Sequence, residues 1–114
     1  MGDCIFCKIA NHEIPAEVLY EDDQVLAFRD LNPQAPVHFL VIPKIHIESV
    51  NALDNETFPV VQAVFKAVQI LAKELNFADA GYRVVTNCGV DGGQTVGHLH
   101  YHVLAGRNLT WPPG

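Results

Sequence analysis

The 114-residue chain reads as an α+β domain: a five-stranded antiparallel sheet with one long helix and a short N-terminal helix. Three observations predict it. Five short β-prone runs are separated by turns or hairpin-length links. Only one stretch repeats apolar residues at helical spacing over several turns. A parallel sheet needs a crossover of a dozen or so residues between each pair of strands, and one long helix cannot supply them. The length leaves room for a single domain, residues 1–114.

Residues 4–11 are a short opening helix or turn. Glu17–Glu21 and Gln24–Asp30 read as two strands joined by Asp22-Asp23, a tight hairpin link. Asn32-Pro33-Gln34-Ala35-Pro36 carries two prolines and reads as a turn. His38–Ile42 is a continuous β-prone run closed by Pro43. The long helix is Glu56–Leu75, where Val61, Val64, Phe65, Val68, Leu71, Ala72 and Leu75 form one apolar stripe. Asp54 or Asn55 can cap it, and Pro59 lies in its first turn, where proline is tolerated. Tyr82–Asn87 is the next strand, Val90–Gln94 a glycine-containing loop, and His98–Leu104 the last strand. The tail from Gly106 holds the only tryptophan and ends Trp111-Pro112-Pro113-Gly114.

Composition narrows the function. Hydrophobic residues make up 49% and charged residues 18%, a globular balance. The net charge is −6 and the seven Lys and Arg are scattered. No basic stripe is present to neutralise a nucleic-acid backbone, whereas a ligand with few phosphates needs little Lys or Arg. No apolar run approaches the ~20 residues of a membrane span. The opening Met1-Gly2-Asp3-Cys4-Ile5-Phe6 lacks the regions of a signal peptide, and Phe6 stands where a myristoylation motif wants Ser or Thr. Three cysteines suit a reducing compartment, so the expectation is a cytoplasmic protein with no nucleic-acid or membrane partner. A chain this short often completes its burial against a second copy, so a homodimer is expected.

The chemistry concentrates in His98-Leu99-His100-Tyr101-His102-Val103-Leu104. On a strand the three imidazoles share one side, ~6.5–7 Å apart, while Leu99, Tyr101 and Val103 face the core. Such a set can bind a catalytic zinc that leaves one position for water. Alternatively, one imidazole is a nucleophile and its neighbours orient it and move protons. Just upstream, Gly92-Gly93-Gln94-Thr95 supplies backbone N–H groups, an amide and a hydroxyl, the equipment of a phosphate nest. His38, in an apolar strand, reads as a hydrogen-bonded core or subunit-contact residue, His12 as a solvated loop residue and Cys88 as a packing thiol. Cys4-Ile5-Phe6-Cys7 is a lone Cys-x-x-Cys pair, a zinc half-site or a redox dithiol. His46 and then His98 are the candidates to complete a Cys₂His₂ zinc set.

The histidine run resembles the His-x-His-x-His signature of the histidine-triad superfamily. Ala27–Asp30, Pro33–Pro36, His38–Pro43, Asp91–Gln94 and the Trp-Pro-Pro-Gly end resemble its nucleotide-binding branch, in order along nearly the whole chain. The resemblance implies a homodimer that hydrolyses purine nucleoside phosphoramidates, an AMP-amine type of substrate, and binds AMP or GMP. It implies His100 as nucleophile, His102 on the phosphoryl oxygens, and His98 and Thr95 toward the leaving group. Asp30 would bind ribose, Phe28 and Leu31 would wall the base, and Asn87, Gly93 and Gln94 would help hold phosphate and ribose. Trp111 would reach the partner's leaving-group side. Members opening on such a cysteine pair carry a structural zinc on the positions of Cys4, Cys7, His46 and His98, with no metal required for catalysis. Gly97 and Thr95 depart from the large residue and the serine of animal forms, which bears on leaving-group preference. The rival readings are a dinucleoside polyphosphate hydrolase of a sister branch, a metal-dependent hydrolase on the three histidines, and a nucleotide-binding regulatory protein with incidental catalysis.

Overall fold

The structure is a computed structural model that describes residues 3–114. Met1 and Gly2, read above for targeting and lipidation signals, lie outside it. Its elements are α1 (Ile5–Ala10), β1 (Val18–Glu21), β2 (Val25–Arg29), β3 (Val37–Pro43), a single 3₁₀ turn (Val50–Ala52), α2 (Pro59–Glu74), β4 (Tyr82–Val85) and β5 (Tyr101–Ala105). The strands form one antiparallel sheet in the order β1-β2-β3-β5-β4, the α+β architecture expected from the sequence. Among the described residues no helix is long and apolar enough to cross a membrane.

Local chemistry explains the element ends. Asp22 closes the β1–β2 hairpin by accepting the N–H groups of Gln24 and Val25 on one carboxylate oxygen. Asp54 accepts from Glu56 and Thr57 and so caps the turn leading into α2, while Pro59 takes the first helical position. The helix therefore begins at Pro59, three residues later than the Glu56 start expected from the sequence. Its buried face also rotates: Val60, Ala63 and Ala67 join Val64, Val68, Leu71 and Ala72, while Phe65 turns partly to solvent against Tyr101. Small residues let the helix lie close to the sheet, and the large Phe65 would not fit that seam.

The sheet separates two apolar layers by the two-residue alternation of its strands. Odd positions Val25, Ala27, Phe39, Val41, Tyr101 and Val103 face α2. Even positions Leu26, Phe28, Leu40 and Ile42 face Phe6, Ile9 and Ala10 of α1. The even face carries His38 and His102, so all the histidine chemistry lies opposite the long helix.

The largest departure from expectation is at the last strand. Its ladder to β3 ends at the pair Val41–Tyr101, leaving His98, Leu99 and His100 outside it. Continuing the register would set Leu99 opposite Pro43, which has no N–H to give. Instead the Leu99 N–H donates to Ile47 O at 2.6 Å, and the His100 carbonyl accepts from Thr86 Oγ1 at 2.8 Å.

Leu71, fully buried between α2 and the sheet, tests this layering. Leu71→Ala is expected to lower unfolding free energy in urea by about 2–5 kcal/mol. Val90→Ala, on a fully solvated loop tip, is expected to stay within about 0.5 kcal/mol of wild type.

Candidate active site and metal cluster

The three histidines keep to one side of the chain but divide between two tasks. His98 is completely buried; its Nε2 donates to Pro43 O at 2.9 Å and its Nδ1 faces the thiols of Cys4 (3.3 Å) and Cys7 (3.5 Å). His100 and His102 line a cavity of about 280 Å³ on the α1 side of the sheet. Their rings lie 5.1 Å apart, closer than strand spacing alone places them.

Hydrogen-bond partners fix which nitrogen of each ring carries the proton. A carbonyl can only accept, so His100, with Nδ1 at 2.7 Å from His98 O, is protonated at Nδ1. In the neutral ring the Nε2 lone pair is then free for chemistry. On the other side, Gln34 N–H donates to His38 Nδ1 at 3.0 Å, which forces the His38 proton onto Nε2. That N–H points to His102 Nδ1 at 2.9 Å, with Asp30 Oδ2 at 3.5 Å, so His102 carries its own proton on Nε2. The site thus pairs a lone-pair nitrogen on His100 with an N–H donor on His102. Burial first, and then the neighbouring imidazoles of His100 and His38, push His102 down to about 4, keeping it neutral near pH 7. Burial also lowers His38, partly offset by the Asp30 carboxylate. Asp30, His38 and His102 lie close enough to suggest a metal triad. With His38 Nε2 protonated, they form a hydrogen-bond relay instead.

Phe28, Asp30, Leu31, Asn87, Gly93 and Thr95 line the same cavity, so most of the residues named from sequence converge. Leu31 is 99% exposed and stands at the rim. Gln94 lies outside the lining and spends its amide on backbone, donating to Glu48 O and Val96 O and accepting from Gly89 N–H. The glycine loop bonds partly to itself: Gly93 N–H donates to Val90 O and Gln94 N–H to Gly89 O. Asn87 braces it through Gly92 O at 2.6 Å. Trp111 is 80% exposed on a tail held by Arg83, which donates to the Leu109 and Thr110 carbonyls. Sequence reasoning missed Ile5, Phe6, Ile9, Leu40 and Val96 as cavity wall and His38 as the residue behind His102. The even alternation joining His38 to Leu40 was a usable signal; no local pattern placed α1 here.

Cys4, Cys7, His46 and His98 come together, each offering one ligand atom within 4.8 Å of the others. Cys7 Sγ lies 3.3 Å from His46 Nδ1. Zinc–sulfur and zinc–nitrogen bonds of ~2.3 and ~2.0 Å in a tetrahedron put sulfur and nitrogen about 3.5 Å apart. The three observed separations, 3.3, 3.3 and 3.5 Å, match that set. His98 Nε2–H bound to a carbonyl leaves Nδ1 as the ligand nitrogen, the arrangement usual for a metal-bound imidazole. Burial and the Cys4 thiol raise Cys7 to about 11, the opposite of a reactive low-pKa dithiol. The donor set fits a metal.

Residues 3–110 match the family model described as "Scavenger mRNA decapping enzyme C-term binding". The chain is 50% identical to a HIT-like protein of Synechococcus elongatus, over 98% of this chain and 97% of that one. The chain belongs to the histidine-triad (HIT) superfamily. It is 45% identical to a 14 kDa zinc-binding protein of Zea mays, covering 96% of this chain and 87% of that one. Two crystallised HIT proteins superpose closely. A HIT family hydrolase from Legionella pneumophila gives a TM-score of 0.95 at 46% identity, covering 98% of this chain and all of that one. A histidine triad protein from Clostridium difficile gives 0.94 at 53% identity, covering 96% of each. In this HIT chain the signature histidines split, with His98 turned to the thiols and His100 and His102 to the cavity.

Burial of His102 has a pH consequence. Its folded value, about 4, lies below the ordinary 6.5, so the unfolded chain takes up a proton first as pH falls. Stability is therefore lost progressively between about pH 6.5 and about pH 4. Thermal melting across that window should fall for wild type and fall less steeply for His102→Gln; equal slopes would contradict the assignment.

Proposed function

We propose that the protein is a hydrolase of purine nucleoside phosphoramidates, acting through a nucleotidyl intermediate on His100. The observation that carries this reading is the proton arrangement: a His100 Nε2 lone pair with Nδ1 held by the His98 carbonyl, beside the protonated Nε2 of His102. The Legionella relative is described as a hydrolase, which agrees with the reaction class. The cavity, about 280 Å³, is at the small end of ligand sites, which run ~300–1,000 Å³. A space of that size holds about one nucleotide, with the leaving group projecting outward.

In this reading the purine lies against Phe28 and Leu31, and the ribose hydroxyls meet Asp30. Gly93 and Asn87, with the loop that Gln94 ties down, border the phosphate. His100 Nε2 attacks the α-phosphorus and the P–N bond breaks. His102 Nε2–H steadies the charge that gathers on the phosphoryl oxygens. The amine leaves protonated, with the Thr95 hydroxyl at the cavity edge relaying a proton from solvent. Water then attacks the same phosphorus, releasing AMP and restoring the His100 lone pair. His98, with both ring nitrogens committed, acts through its carbonyl. Cys4, Cys7, His46 and His98 would hold a structural zinc, which ties loops together and takes no part in the reaction. Free cysteines at 4, 7 and 88 agree with a cytoplasmic setting.

We also read the protein as a homodimer. β4 is an edge strand, and Trp111, Phe65 and Tyr82 leave large apolar surface uncovered. Trp111 would complete the leaving-group side of the partner's site.

His100→Ala is expected to lower kcat/KM for adenosine 5′-phosphoramidate by ~10³-fold or more while AMP binding persists. A variant keeping a hundredth or more of wild-type rate would reject His100 as nucleophile. Deleting Asn108–Gly114 removes no strand or helix. The deletion should leave a folded dimer, and it should change the kcat/KM ratio between two amine leaving groups more than it changes AMP affinity. An unchanged ratio would make the tail packing only.

A further inference from the structure

The metal cluster and the cavity share a wall. α1 is six residues long, far too short to persist alone; Cys4 caps it, Cys7 lies within it, and its side chains form one side of the cavity. Its Phe6 ring stands edge-on to His100 at 5.1 Å and to His98 at 5.9 Å. The second link is the backbone. The His98 ring is clamped between the thiols and Pro43 O, and the carbonyl of that same residue holds His100 Nδ1 at 2.7 Å. The third is the loop of the remaining ligand: His46 is followed by Ile47, whose carbonyl takes the Leu99 N–H. His98, Leu99 and His100 lie beyond the sheet ladder, so these contacts, with Thr86, replace strand pairing as their support.

We propose that Cys4, Cys7, His46 and His98 are positioning residues for His100: a metal ion held by them fixes the nucleophile's ring through the His98 carbonyl and the Phe6 edge. This builds on the reading of His100 as nucleophile, but the ring's orientation is a physical property that can be followed without substrate. The ion bonds neither substrate nor His100. Its removal frees the first turn of α1, the His98 ring and the Ile47 loop together. A displacement of ~1 Å at a reacting atom costs about 100-fold in rate, so the expected loss on metal removal is roughly 10- to 100-fold.

The test uses the full chain labelled with ¹⁵N at histidine. As purified, it should contain about one zinc per chain, and the imidazole spectrum should show a His100 Nδ1–H resonance protected from exchange. Stripping the zinc with a chelator should broaden or abolish that resonance, with backbone amides of β2, β3 and α2 unchanged, and zinc return should restore it. Turnover of adenosine 5′-phosphoramidate should fall and recover in step. Should the stripped chain unfold, Phe6→Ala decides the matter: it should keep its zinc yet show the same weakened His100 signal, with Phe6→Leu intermediate. A chain that neither contains nor takes up zinc overturns the proposal. So does a folded, stripped chain with an unchanged His100 resonance, or a zinc-replete Phe6→Ala with wild-type ring exchange. If the resonance responds to zinc but no phosphoramidate is hydrolysed, the proposed reaction fails and the coupling stands.

Discussion

His100 can present a nucleophilic Nε2 only while something else owns its other nitrogen, and the His98 carbonyl does so at 2.7 Å. Much of the fold can be understood as the means of holding that carbonyl in place. β3 stops at a proline, so the chain before β5 leaves the ladder and turns its carbonyls to local partners. A regular strand would have committed the backbone of residues 98–100 to β3. The cost is a segment without strand support, and the donor cluster at its start, the Ile47 carbonyl and Thr86 stand in for the missing pairs.

The second histidine is prepared from the opposite side by a chain of forced donors. Gln34 N–H, at the proline-rich turn, determines the His38 tautomer, and His38 determines that of His102. Burial keeps His102 neutral, so it offers an N–H without the added cost of a buried charge. Asp30 sits beside this relay with one carboxylate oxygen on Asn32 N–H and the other near His38. Two imidazoles of like intrinsic chemistry thereby take opposite roles, one a lone pair and one a donor, through the partner that each ring's Nδ1 meets: the His98 carbonyl for His100 and the His38 N–H for His102.

Much of this was legible in the sequence, for a physical reason. Short β-prone runs bounded by turn residues and the α2 stripe are local signals, so the α+β class, the five strands and the single long helix could be read directly. The histidine run pointed to the candidate site for the same reason, and the Cys-x-x-Cys pair to half of a donor set that His46 and His98 complete. What escaped depends on distant contacts. The loss of ladder pairing at His98–His100 follows from Pro43 on another strand, and the rotated α2 face follows from the sheet's need for small residues at 63 and 67. The use of α1 as a cavity wall and of His38 as a relay emerges only when the even face of the sheet is assembled. Trp111 marks a further boundary, since its ring is left exposed and packing within the chain gives it no place.

The central claim is that His100 reacts through Nε2 because Nδ1 is held. Rapid-quench of wild type during turnover of adenosine 5′-phosphoramidate, followed by peptide mass spectrometry and phosphorus NMR, tests it most directly. An adenylyl group should appear on His100, bonded at Nε2, formed and consumed at rates compatible with turnover. An adduct on His102, an adduct at Nδ1 of His100, or steady hydrolysis with no covalent adduct would contradict it.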